Sequence, residues 1–189
     1  MGPGTQKFAN KWALIPVGFG LMLAASNLYL LRENQRLRNR IEFQTATRYP
    51  QVGTNLPALR GKDIDGRPIT ISYPGAGAGT LMLVFSETCV HCERNWPDWS
   101  RLVNESVNNR VVFVNIGPTL STDFVQEHGL GSATVVAHAD PDSIVKYALM
   151  ETPVTLRISP DGRVLGAWGG ELGASGASEV REALAVRAR

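Results

Sequence analysis

The first long pattern in the chain is an uninterrupted apolar run. Residues 12–31, WALIPVGFGLMLAASNLYLL, contain no charged side chain over twenty positions. A helix rises about 1.5 Å per residue, so this run reaches roughly 30 Å, the thickness of a bilayer's hydrocarbon core. Its length favours an uncleaved membrane anchor after a short tail at residues 1–11. A cleaved secretion signal is the alternative, because Lys7 and Lys11 precede the run and small residues follow Leu23.

A polar and basic stretch, residues 32–49, follows the apolar run and is predicted to be a stalk. Residues 1–48 hold seven Lys and Arg against two Glu, and this charge beside an apolar segment indicates a membrane surface rather than nucleic acid. Positions spaced three and four apart fit a heptad seam that could pair two chains, with a solvated tether as the alternative. The seam positions are Leu23, Asn27, Leu30, Asn34, Leu37 and Ile41.

From residue 50 onward, short apolar runs alternate with segments that begin with helix-capping residues. Residues 80–87, TLMLVFSE, are almost continuously apolar, which predicts a central strand buried on both faces. Further strands are predicted at residues 110–117 and 133–139. Helices are predicted after the second cysteine, from Ser121 to Gly129, from Asp140 to about Leu149, and from about Ser175 to Val186.

Two hairpins complete the predicted domain, which spans residues 50–189. Asp65-Gly66 is a two-residue turn signal in the first hairpin, and Pro160-Asp161-Gly162 separates the two strands of the second. Strands that alternate with helices and end in a hairpin and a helix predict an α/β fold. We therefore expect a mixed central sheet with helices on both faces, preceded by the membrane helix.

The chain has only two cysteines, Cys89 and Cys92, so hydrophobic burial must hold the domain together. They follow the predicted central strand and open a helix. The helix N-terminus favours a thiolate at Cys89, and two intervening residues bring the two sulfurs within disulfide distance. This pattern predicts a redox pair in which Cys89 is the exposed nucleophile and Cys92 resolves the mixed disulfide.

Other interpretations of the cysteine pair are less favoured. A zinc site needs about four ligands, and the chain has no second cysteine pair and no histidines at finger spacing, so no metal is expected. A structural disulfide across two residues would add little stability. The peroxidase signature P-x-x-x-T/S-x-x-C is only partly matched, since Met82 occupies the proline position.

Three features together resemble the thioredoxin superfamily, and specifically the membrane-anchored TlpA/ResA-like thiol-disulfide oxidoreductases with a redoxin domain. They are the segment LPALRGKDIDGRPI, the apolar strand that ends in Cys89-Val90-His91-Cys92 with Pro97 beyond it, and Thr152-Pro153 before a strand. The resemblance covers residues 50–189. It implies a thioredoxin-like fold and a cis Thr152-Pro153 bond opposite the cysteines, where the Thr152 backbone would bind an extended substrate segment.

The sequence also departs from the family. Many members have Trp before the first cysteine, Glu three residues after the second, and, in thioredoxin, Asp six residues before the first. Here these positions are Thr88, Asn95 and Leu83. The absence of both carboxylates removes the proton relay to the resolving thiol, which argues against rapid reductase turnover.

His91 is expected to tune the redox couple. A histidine between the cysteines can donate a hydrogen bond or positive charge to the Cys89 thiolate, which makes the disulfide more oxidising. The alternative is an exposed histidine without such a role.

The resemblance implies an enzyme that exchanges disulfides with extracytoplasmic protein thiols, for instance in cytochrome c maturation, with a membrane redox donor or acceptor. The redox disulfide would be its only cofactor, and no nucleic acid is expected as a partner. The resemblance places the domain in the periplasm, or outside the cell, on a single-pass bacterial inner-membrane anchor. Four Arg after the run against two Lys before it would by themselves favour the cytoplasm. A non-catalytic subunit of a membrane complex is the alternative function, with a peroxiredoxin-like peroxidase less favoured.

Overall fold

The chain divides into two units, Met1–Gln44 and Thr45–Arg189. The computed structural model describes residues 20–36, 48–75, 78–106 and 109–185. In the first unit, residues 20–36 form helix α1. No helix among the described residues has the length and hydropathy needed to cross a membrane. The predicted tail at residues 1–11, residues 12–19 of the predicted anchor and residues 37–47 of the predicted stalk lie outside the described residues.

Two sheets make up the centre of the second unit. The strands are β1 Leu59–Lys62, β2 Pro68–Ile71, β3 Thr80–Phe85, β4 Arg110–Asn115, β5 Thr134–Val136, β6 His138–Ala139, β7 Val154–Ile158 and β8 Val164–Gly169. The larger sheet has the order β5-β4-β3-β7-β8, and the smaller one β2-β1-β6. In the larger sheet β3, β4 and β5 are parallel, whereas β7 and β8 are antiparallel to their neighbours. The predicted mixed sheet is therefore confirmed.

Four α-helices are described in the second unit, close to the predicted positions. They are α2 Val90–Glu105, α3 Thr122–Glu127, α4 Pro141–Lys146 and α5 Gly173–Ala185. Ser121 caps α3 as predicted, because its hydroxyl oxygen accepts a hydrogen bond from the backbone N–H of Phe124. Helix α4 is shorter than predicted. It ends at Lys146, and two residues later Ala148 has a φ of 50°, which an α-helix cannot accommodate.

Strand β3 is the middle strand of the larger sheet, and all six of its residues are buried, as its apolar pattern predicts. Successive side chains of a strand point to opposite faces. Leu81, Leu83 and Phe85 therefore pack on one face with the aromatic side chains of α2 and α3, whereas Met82 and Val84 pack on the other.

The two faces of the larger sheet are covered differently. Side chains of α2, α3 and α5 bury the first face. The expectation of helices on the second face is only partly correct. There Leu59 of β1 and Ile71 of β2 pack on the sheet together with Tyr147, which follows α4. A small antiparallel sheet with one apolar face can cover a core as well as a helix does.

The single strand predicted at residues 133–139 is wrong, because the chain changes sheets within it. Residues Thr134–Val136 pair with β4 of the larger sheet, and His138 and Ala139 pair with β1 of the smaller one. Between them the backbone N–H of Ala137 donates to Lys62 O at 2.8 Å. The apolar pattern of this segment does not distinguish the two partners, so only the tertiary structure separates β5 from β6.

The first hairpin is confirmed, but its turn is longer than the two residues predicted. Lys62 pairs with Pro68, so five residues separate the strands. One carboxylate oxygen of Asp63 accepts hydrogen bonds from the N–H groups of Asp65 and Arg67, at 2.9 and 2.8 Å. Gly66 takes the left-handed conformation in this turn, with a φ of 79°.

Gly61 allows the smaller sheet to form, and replacing it should destabilise the domain. A Cβ at this position would collide with the carbonyl oxygen of His138 and lie 3.1 Å from the Ala139 Cα, both in the paired strand β6. We expect Gly61→Ala to lower the free energy of unfolding by roughly 1–3 kcal/mol, measured by urea denaturation.

Gly131→Ala is the matched control, because no atom lies within 4 Å of the added Cβ and its φ is not positive. It should change the unfolding free energy by no more than about 0.5 kcal/mol. Equal losses in the two variants would contradict this account of Gly61.

Candidate active site

The two cysteines lie where β3 ends and α2 begins. Cys89 is the N-cap of α2, and its sulfur lies 3.2 Å from the backbone N–H of Cys92, which points toward it. A disulfide joins the two residues, whose Cα atoms are 5.2 Å apart. Cys92 is fully buried, whereas Cys89 is partly exposed. The sulfur of Cys89 is therefore the one that another protein can reach, and unpaired N–H groups at the helix start favour its thiolate form.

The segment before β7 faces the exposed sulfur. Val154, the first residue of β7, pairs with Val84 near the end of β3, so the residues before β7 lie beside the start of α2. The Thr152-Pro153 peptide bond is cis, and the Thr152 carbonyl oxygen lies 3.6 Å from Cys89 Sγ. The sheet thus brings together two motifs that are 63 residues apart in the chain.

A groove of about 470 Å³ lies beside this segment. It is lined by Tyr49, His91, Glu151, Thr152, Pro153, Gly169, Gly170 and Glu171. The Tyr49 ring packs so closely on Gly169 that a Cβ at residue 169 would collide with it. Burial raises the pKa of Tyr49, and the nearby Glu151 carboxylate raises it further. Glu151 also forms an ion pair with Arg48 at 3.0 Å.

His91 is held by the carboxylate of Glu171, another residue that lines the groove. Its Nδ1 lies 2.6 Å from Glu171 Oε1, and the Arg94 guanidinium donates to the same oxygen at 2.8 Å. The hydrogen bond from His91, and next the one from Arg94, hold the pKa of Glu171 below its usual value. An ionised carboxylate has no proton to give, so the His91 Nδ1–H is the donor.

Asn95 holds the loop that carries Glu171. It is a buried residue of α2, and its amide group donates to Gly170 O at 3.1 Å and accepts from the Leu172 N–H at 2.9 Å. These two bonds hold the loop on either side of Glu171. A carboxamide can both donate and accept, whereas an ionised carboxylate only accepts, so the amide suits this site and a Glu carboxylate would not.

Comparisons with known proteins place this arrangement in a known fold. No protein-family model matches the sequence, and no curated protein matches it. Solved structures do match. The thioredoxin domain of a thiol-disulfide oxidoreductase from Bacteroides vulgatus is 14% identical with a TM-score of 0.54, covering 70% of this chain and 96% of that one. A thio-disulfide isomerase from Thermus thermophilus is 17% identical with a TM-score of 0.52, covering 73% and 99%.

StoA from Bacillus subtilis is also similar, at 19% identity and a TM-score of 0.51, covering 69% of this chain and 98% of that one. These matches include nearly the whole of each compared domain and are combined here with a cysteine pair at the start of α2. The protein has the thioredoxin-like fold of the thiol-disulfide oxidoreductases.

The thioredoxin-like domain brings the predicted cysteines and the Thr-Pro pair together, and it gives His91 a hydrogen-bond partner outside the cysteine motif. Cys89, Cys92 and Thr152-Pro153 meet as expected. His91 lines the groove, but its described hydrogen bond is to Glu171 and not to Cys89, so its tuning role stays a prediction. Leu83 is fully buried in the core.

Sequence reasoning missed three residues that line the groove: Tyr49, Glu151 and Glu171. Glu171 lies 80 residues after His91, and no local pattern marks it as a partner. Tyr49 is the last residue of the predicted stalk, and Glu151 directly precedes the Thr-Pro pair; no pattern in the sequence assigns either one a role. Within the described residues, no cluster of three or more His, Cys, Asp or Glu could hold a metal ion.

Asn95→Asp should make the stability of the thioredoxin-like domain depend on pH. The new carboxylate would keep the bond from the Leu172 N–H, but its ionised form would face the Gly170 carbonyl oxygen in a buried site. Burial and this contact raise the Asp pKa in the folded state. The loss of unfolding free energy relative to wild type should thus be roughly 2–3 kcal/mol at pH 7 and shrink toward pH 4.

Urea denaturation at several pH values measures this difference. Asn104→Asp is the matched control, because Asn104 is exposed on the same helix, and it should show a difference below about 0.5 kcal/mol at each pH. A loss in Asn95→Asp that stays constant with pH would contradict the role assigned to the amide.

Proposed function

We propose that this protein is a thiol-disulfide oxidoreductase that exchanges disulfides with protein substrates. One observation carries the proposal: the partly exposed sulfur of a helix-capping disulfide lies 3.6 Å from the carbonyl of Thr152, which precedes a cis proline. The similar structures bear the names of thiol-disulfide oxidoreductases and of a thio-disulfide isomerase. An extended substrate segment would bind in the groove along Thr152 and Pro153.

The exchange proceeds through Cys89. A substrate thiolate attacks the Cys89 sulfur and breaks the bond to Cys92, whose sulfur leaves as a thiolate. A second substrate thiolate then attacks the substrate sulfur of this mixed disulfide and releases Cys89. Two electrons pass to the protein, and the substrate leaves with a disulfide. The reverse sequence reduces a substrate disulfide, with buried Cys92 as the resolving thiol.

We infer that the Cys89–Cys92 couple has a reduction potential typical of an oxidant rather than of a reductant. The start of α2 stabilises the Cys89 thiolate of the reduced form, and a thiolate held in this way makes a disulfide a stronger oxidant. Leu83 and Asn95 provide no nearby carboxylate to oppose that charge. His91, once the disulfide opens, would add to the stabilisation.

Cysteine replacements test the proposal directly. We expect Cys92→Ser to accumulate mixed disulfides with partner proteins, because an exposed Cys89 can attack a substrate disulfide and no second thiol resolves the product. Non-reducing gels should show reductant-sensitive bands of higher mass.

Cys89→Ser is the matched control, since it keeps one cysteine but leaves only the buried sulfur of Cys92. It should show no such bands and no oxidation of a peptide dithiol. Bands of equal strength in the two variants, or none in either, would contradict the assigned roles.

The same proposal extends to location. The described part of the predicted anchor, within α1, exposes large apolar side chains such as Leu21, Met22 and Leu28, which suits burial in lipid. Basic residues flank the apolar run. We infer a single-pass anchor that presents the domain to protein thiols outside the cytoplasm. Cytochrome c maturation is one process that would use this exchange, and a membrane protein would serve as electron donor or acceptor. Pairing of two chains through the stalk is part of the same proposal.

Labelling of Cys89 tests the orientation. In intact cells that express Cys92→Ser, a membrane-impermeant thiol reagent should label the reduced protein to the same extent before and after lysis. Cys89→Ser gives the background, because Cys92 is buried. Labelling that begins only after lysis would place the domain in the cytoplasm instead.

A further inference from the structure

His91 and Glu171 form a hydrogen-bonded pair that the disulfide exchange described above does not use. His91 lies within the cysteine motif, two residues after Cys89. Both side chains line the groove with Thr152 and Pro153. Glu171 accepts the His91 Nδ1–H at 2.6 Å, so the ring is held through one nitrogen. Its second nitrogen, Nε2, has no hydrogen bond to any described residue. The ring therefore presents a lone pair on Nε2 whenever it is neutral.

Two further side chains of α2 hold this pair in place. Asn95 binds the backbone on both sides of Glu171, and Arg94 donates to the same carboxylate oxygen that His91 uses. The two donors keep Glu171 ionised, and the carboxylate keeps the proton of a neutral imidazole on Nδ1. The geometry is that of a histidine oriented by a carboxylate, built from a helix and a loop 80 residues apart.

The other titratable groups of the groove are poorly suited to accept a proton. Burial and Glu151 raise the pKa of the Tyr49 phenol, so it stays protonated. The Glu151 carboxylate is already engaged in its ion pair with Arg48 at 3.0 Å. Among the described side chains that line the groove, only His91 carries a ring nitrogen that is free of hydrogen bonds.

We propose that His91 accepts the proton of the entering substrate thiol and that Glu171 is the residue that positions it for this task. The inference rests on the proposed function and assigns its proton transfer. His91 Nε2 takes the proton from the substrate S–H, and the resulting thiolate attacks Cys89 Sγ. The Cys89–Cys92 bond breaks, Cys92 leaves as a thiolate, and the imidazolium holds the proton beside the new mixed disulfide.

This role would overcome the low ionisation of a substrate thiol at neutral pH. A free cysteine has a pKa near 8.5, so only a few per cent of a substrate thiol is ionised at neutral pH. A positioned base typically contributes a factor of 10²–10⁴ to such a step. Positions 83 and 95 hold a buried leucine and an amide that binds the backbone, and neither side chain can act as a base. The basic group comes from within the cysteine motif instead.

The test compares two thiols that differ in their need for a base. The oxidised full chain is mixed at pH 7 with 2-mercaptoethanol, which is mostly protonated, or with 4-nitrothiophenol, which is already ionised. Initial rates of mixed-disulfide formation are measured by acid quench and intact mass. In Glu171→Gln and in His91→Gln, the rate with 2-mercaptoethanol should fall about tenfold or more, and the rate with 4-nitrothiophenol should stay within about twofold of wild type.

Glu105→Gln is the matched control. Glu105 is a similarly exposed glutamate of α2 that pairs with Arg181 at 2.7 Å, and its replacement should leave both rates unchanged. The ratio of the two rates is taken within one variant, so a general loss of structure or of Cys89 access changes both rates and leaves the ratio as in wild type. That outcome, or unchanged rates in both variants, overturns the inference. A wild-type protein that reacts with neither thiol would instead refute the proposed function itself.

Discussion

The candidate site depends on the packing of one helix face on the larger sheet. Trp99 of α2 is fully buried, and its indole N–H donates to the Thr155 hydroxyl of β7 at 2.9 Å. Trp96 lies edge-on to Trp99 and stacks with Phe113 of β4. These contacts fix α2, which carries the cysteines, against the strand that follows Pro153. The short distance between the Cys89 sulfur and the Thr152 carbonyl is a consequence of this burial.

The same helix also organises the charged groups at the edge of the site. The loop after β8 is contacted by three residues of α2. Its Glu171 carboxylate accepts hydrogen bonds from His91 and Arg94, and Asn95 binds its backbone. The network is largely exposed, so its ion pairs contribute little to stability. Its effect is on the orientation of the His91 ring and on the charge beside the disulfide. The buried amide of Asn95 contributes the structural part, because its two hydrogen bonds satisfy backbone groups shielded from water.

How far the sequence could be interpreted depends on the range of the interaction concerned. The buried central strand, the cap at Ser121 and the cysteine pair at a helix start are set by residues close together in the chain, and each was found where the pattern placed it. The cis bond at Pro153 was predicted only from the family resemblance, since nothing in its neighbours distinguishes it from an ordinary Thr-Pro pair. The change of sheet at Ala137 was missed, because an apolar segment pairs equally well with either sheet edge.

The sequence by itself determined the alternation of strands and helices, the place of Cys89 and Cys92 at the helix start, and thereby the disulfide chemistry open to the domain. These depend on periodicity, capping and a spacing of three residues, which are local properties. Only the tertiary structure decided that Glu171 contacts His91 and that Asn95 binds the loop that carries Glu171. The same holds for Tyr49, which lines the groove and packs on Gly169. Such contacts join segments far apart in the chain. They follow from the packing of β8, α2 and the segment before β1. No short sequence pattern predicts that packing.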